Sequence, residues 1–65
     1  MNKMTGFYKK PTCFSSASID LEGGGRIILP LYETLPFKDD EKVTVSLKNE
    51  NNLIKWDIEL YDSNN

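Results

Sequence analysis

A mainly β chain with one short helix is the fold class this sequence predicts, on three observations. Apolar and polar residues alternate with period two over 17–21, 43–48 and 53–61, the pattern of strands with one buried and one solvated face. The clusters Gly23-Gly24-Gly25 and Asn49-Glu50-Asn51-Asn52 interrupt the apolar runs with residues that suit tight turns. Helical spacing occurs only between Pro30 and Pro36, where Leu31 and Leu35 stand four apart.

Taken in order, residues 1–13 read as a polar, weakly basic leader arm, because Gly6 and Pro11 punctuate it and no period is sustained. Phe7, Tyr8 and Phe14 are costly to leave in water, so some of them are expected to cover the core or a subunit interface. The domain proper is placed at 14–61. Ala17, Ile19 and Leu21 share one face of its first strand, with Ser16, Ser18 and Asp20 on the other. After the glycine turn, Arg26-Ile27-Ile28-Leu29 reads as a strand buried on both faces or at an interface. Pro30 stops that strand or opens one or two helical turns, which Pro36 ends by disfavouring α geometry at Leu35. Lys38 to Lys42 form a charged connection. Val43, Val45 and Leu47 make the next strand's apolar face. Ile54, Trp56, Ile58 and Leu60 make the last one's, and residues 62–65 are a polar tail.

Sixty-five residues bury only about 60% of the surface that their unfolded chain exposes, so a core completed by a second subunit is expected. With no histidine and one cysteine, the chain lacks His-based acid–base pairs, a disulfide of its own and a cysteine cluster for zinc. No enzyme, no cofactor and no metal are expected. Gly23-Gly24-Gly25 precedes an apolar strand rather than a helix, with no Gly-Lys-Ser/Thr after it, and reads as a turn. Asp39-Asp40-Glu41 lacks the alternate ligands of a calcium loop and reads as a solvated turn. Cys13 reads as a small, partly buried apolar residue. No stretch approaches the roughly 20 apolar residues of a membrane span and no signal-peptide core is present, so a cytoplasmic protein without membrane contact is expected.

The net charge is −2, but it is unevenly placed. Lys3, Lys9 and Lys10 stand in residues 1–19 with no acid, whereas five basic and ten acidic residues follow from Asp20 onward. Lys9 and Lys10 are thereby candidates for a nucleic-acid contact, against the alternative of a solvated arm. Arg26 has the planar fork suited to a phosphate or a base edge. It could equally pair with Asp20 or Glu22 across the turn, or lay its stem over Trp56.

The stretch Ser18-Ile19-Asp20-Leu21-Glu22-Gly23-Gly24-Gly25-Arg26-Ile27-Ile28-Leu29-Pro30 resembles the AbrB/MazE/MraZ swapped-hairpin family. That family has an acidic residue in its first strand, a glycine turn, then Gly-Arg, three hydrophobic residues and a proline before a short helix. Asp20, Gly25, Arg26 and Pro30 occupy those places, and Leu35-Pro36-Phe37, Asp40-Glu41-Lys42-Val43 and the 43–58 alternation follow in the family's order. Between proline and leucine this chain is two residues shorter than the family pattern, and Leu31-Tyr32-Glu33-Thr34 carries no basic residue. The resemblance implies a homodimer whose hairpins interlock into one β-barrel, with Ile27, Ile28 and Leu29 in the dimer core; Trp56, the largest apolar side chain, is expected to join them. It also implies a DNA-binding transcription regulator or antitoxin-type module, for which Arg26, together with Lys9 and Lys10 of the basic leader, supplies the candidate contacts to duplex DNA. The alternative is a small acidic interaction or inhibitor module that binds a basic protein partner, such as a toxin or a nucleic-acid-binding protein.

Overall fold

The computed structural model describes residues 3–31 and 33–63. Five strands, β1 (Lys3–Lys9), β2 (Ser18–Leu21), β3 (Arg26–Ile28), β4 (Lys42–Glu50) and β5 (Leu53–Leu60), form one sheet in the order β3-β2-β1-β4-β5. Every neighbouring pair is antiparallel. The sheet does not close into a barrel, since β3 and β5 stand at its two edges.

The first strand corrects the expectation of a leader arm, for Lys3–Lys9 is the central strand. It pairs with β2 on one side and β4 on the other, with Gly6 opposite both Leu21 and Val43. The β1–β2 register, Gly6 to Leu21 and Lys9 to Ser18, carries on to the bridge between Thr12 and Ser15. The leader and the first predicted strand are therefore the two arms of one hairpin, with Cys13 and Phe14 at its tip. Both tip residues are exposed, Phe14 to 94%, so Cys13 is not the partly buried residue expected and Phe14 covers nothing in its own chain. Period-two reasoning missed this strand because Gly6 holds an inward position without a side chain to mark it.

Pairing assigns each face. Ile19, Ile27, Val43 and Val45 lie on the same side of the sheet as Tyr8, and together with Ala17 and Leu29 these residues make the buried core. Residues 33–41 of the connection close over that side, bringing Leu35 and Phe37 onto the core. The Phe37 ring meets Tyr8 edge-on at 5.6 Å, and Leu35 N–H donates to Tyr8 Oη at 3.4 Å.

No helix occurs among the described residues, which corrects the short helix expected after Pro30. Glu33 N–H bonds Pro30 C=O at 3.0 Å, a single turn. Two prolines six positions apart leave too few residues to offset the cost of helix nucleation. Tyr32, part of the expected helix, lies outside the described residues.

Turns fix the registers. Asn51 and Asn52 both have positive φ, 54° and 66°, and link Glu50 to Leu53 as a two-residue type I′ hairpin. Gly24 (φ 103°) and Gly25 (φ 95°) turn β2 into β3. Asp40, at φ 67°, and Glu41 both oppose Tyr8: Asp40 N–H donates to Tyr8 C=O at 2.6 Å and Tyr8 N–H to Glu41 C=O at 2.9 Å. That is a β-bulge, which starts β4 in register with β1.

Candidate interaction surface

The sheet's two sides differ in chemistry. On the side away from the core the register sets Asp20 opposite Arg26 and Phe7, and Lys42 opposite Phe7. Arg26 Nε donates to Asp20 Oδ1 at 2.6 Å, the cross-turn ion pair that was one of the alternatives expected for it. Lys9 Nζ donates to Asp40 Oδ1 at 2.6 Å. That hydrogen bond is the largest reason why the Lys9 ammonium titrates above its ordinary 10.5. Partial desolvation opposes it, while the charges of Asp40, Asp20 and Asp39 add to it. Lys42 Nζ approaches Glu22 Oε2 at 3.7 Å and sits 4.2 Å above the Tyr61 ring. Thr5 Oγ1 donates to Glu22 Oε1.

These pairs decide what the basic residues can offer a polyanion. Arg26 and Lys9 keep unused N–H donors, but a phosphate taken by either would stand beside the paired Asp20 or Asp40 carboxylate, so attraction and repulsion largely offset. Lys10 differs. Its backbone N–H donates to Asp39 Oδ1 at 2.8 Å, and its exposed side chain has no ion pair among the described residues.

The acidic run 39–41 is used locally. Asp39 caps the Lys10 amide, Asp40 holds Lys9, and Glu41 Oε1 accepts the Lys38 N–H at 2.9 Å. Among the described residues no three cysteine or carboxylate side chains converge to hold a metal ion.

The core side carries the other surface. Of the residues expected in a dimer core, Ile27 and Leu29 are buried within the single chain, whereas Ile28 points to the opposite side and is 70% exposed. A three-residue edge strand with one covered side splits that apolar run between two environments. Trp56 remains 42% exposed, and its β4 partner Leu47 is 58% exposed. Ile54, two residues along the same face of β5, is also open. The core thus continues as an uncovered apolar strip toward the β4–β5 turn. A hollow of about 410 Å³ lies at its margin, lined by Leu29, Pro30, Glu33, Lys55 and Trp56.

Reading from the sequence put Leu47, Ile54 and Trp56 on apolar strand faces but named only Trp56 for an interface. The available signal was length: 53–60 alternates over more residues than the apolar segments available to cover it. No helix among the described residues is long and apolar enough to cross a membrane. Comparison with protein-family models, with curated proteins and with solved structures finds no match to this chain.

Proposed function

We propose that this chain is a non-catalytic binding module that works as a homodimer and engages a protein partner. The observation that carries the reading is the uncovered apolar strip of Leu47, Ile54 and Trp56, which continues the core into solvent. A contiguous exposed apolar patch of this kind marks an association surface. The exposed area agrees: 5116 Å², about 900 Å² above the roughly 4,200 Å² of a folded monomer of 7.4 kDa. One partner's share of a standard interface is about 800 Å². The pairing of Arg26 with Asp20 and of Lys9 with Asp40 favours a protein partner over nucleic acid. A net charge of −5 from Asp20 onward makes a basic partner the complementary one.

The second reading is a swapped-hairpin, AbrB-like DNA-binding regulator or antitoxin-type module. Its support is the sequence resemblance carried by Asp20, Gly25, Arg26 and Pro30, together with the Lys10 side chain, which has no ion pair among the described residues. Fluorescence anisotropy with labelled duplex DNA separates the two readings. The protein-binding reading expects no salt-sensitive association at micromolar concentration. Binding that weakens steeply between 50 and 200 mM salt would replace it with the DNA reading.

A further inference from the structure

The open edge of β5 carries a pattern that specifies its own partner. Tyr61 N–H bonds Lys42 C=O at 3.1 Å, so the odd-numbered residues of this strand direct their backbone groups at β4. Hydrogen-bonding direction alternates along a strand. Ile54, Trp56, Ile58 and Leu60 therefore direct their N–H and C=O groups outward, away from β4. No proline lies within this eight-residue edge, and the charges of Lys55, Asp57 and Glu59 are what guards it against indiscriminate pairing. The opposite edge, β3, is three residues long and closely followed by Pro30.

Charge then selects a register. Lys55 stands opposite Lys48 on β4, a like-charge pair, and Asp57 stands opposite Ser46. Neither Lys55 nor Asp57 has an ion pair within the chain among the described residues. We infer that two copies join edge to edge through antiparallel β5 strands, with Trp56 opposite Trp56 and each Lys55 opposite the other copy's Asp57.

This register places Ile54 opposite Ile58 and forms two Lys–Asp pairs about a two-fold axis, the self-complementarity that a symmetric dimer requires. Moving the axis by one residue also allows the backbone bonds and sets Lys55 opposite Glu59. It then forces Asp57 directly against Asp57, where like charges repel. In the favoured register the two Leu47–Trp56 strips meet as one surface, and both open edges become paired.

The inference rests on the homodimer proposed above and adds its geometry. Light scattering with size-exclusion chromatography across a dilution series tests it, with the emission of the sole tryptophan as a second readout. Lys55→Glu and Asp57→Lys should each weaken the dimer roughly tenfold, since each turns two attractive pairs into repulsive ones. The double variant should restore the wild-type affinity. Within the single chain Lys55→Glu relieves the contact with Lys48, so thermal unfolding under dilute conditions should not occur at a lower temperature. A dimer indifferent to both reversals would overturn the β5 pairing while leaving the homodimer standing. Rescue by Lys55→Glu with Glu59→Lys would overturn this register. A single-chain mass at every concentration would overturn the pairing and the homodimer together.

Discussion

Replacing Gly6 with alanine sets a methyl group against backbone at the middle of the sheet. A Cβ there would lie 2.6 Å from the Asp20 carbonyl oxygen, 2.9 Å from Ile19 Cγ2 and 3.2 Å from the Asp20 carbonyl carbon. Ordinary contact begins near 3.4 Å, so β2 would have to withdraw by roughly 0.8 Å along a line where little can yield. Leu21 is held in register with Gly6, and Glu22 N–H bonds Thr5 C=O at 3.0 Å. Ile19 is fully buried and cannot swing aside. Overpacking of this kind costs about 1–3 kcal/mol, and the entropy that alanine removes from the unfolded chain returns only about 0.4–1 kcal/mol. Stability for 65 residues is of order 3–10 kcal/mol, so the loss is a sizeable fraction of the whole. Urea unfolding followed by circular dichroism at fixed protein concentration measures it. The middle of those ranges leaves a net loss of about 1 kcal/mol, and with a slope near 1 kcal/mol/M for a chain this small the midpoint should fall by about 1 M. Gly23→Ala is the control, since nothing lies within 4 Å of a Cβ there and φ is not positive. It should move stability by less than about 0.5 kcal/mol. Equal midpoints for wild type and Gly6→Ala would refute the close approach of β1 and β2.

Two further predictions concern the turns and the charges. Asn52→Ala should cost about 1 kcal/mol in a thermal melt, because φ of 66° is unfavourable for a residue with a Cβ and no local polar group. Asn52→Gly should match or exceed wild type. The Lys9 ammonium should titrate above 10.5 by NMR, and Asp40→Asn should bring it down by removing the hydrogen-bonded carboxylate. The folded-state pKa is raised, so the Lys9–Asp40 pair's contribution is complete below 10.5 and fades as pH climbs through the higher folded value. Alkaline destabilisation in that window should be weaker in Asp40→Asn.

Strands β2, β4 and β5 were legible because each alternates over enough residues to declare an inner and an outer side. The Arg26–Asp20 pair was one of several options the sequence left open, and the β2–β3 register selected it. The central strand was not. Its inward positions are Met4, Gly6 and Tyr8, and a glycine among them erases the period that would have marked a strand. Arg26-Ile27-Ile28-Leu29 reads as uniformly buried, yet an edge strand with one covered side leaves Ile28 outside.

By itself, then, the sequence determined the β class, the hairpin turns and the charge carried by each segment, because these follow from local backbone preference and period-two patterning. Tertiary structure alone decided that 3–9 lies at the centre of the sheet, that Lys9 is held by Asp40 thirty-one positions away, and that Leu47 and Trp56 are left uncovered. Those outcomes depend on which strand becomes the neighbour of which. Long-range pairing of that kind is set by the packing of the whole sheet, to which no short window of residues has access.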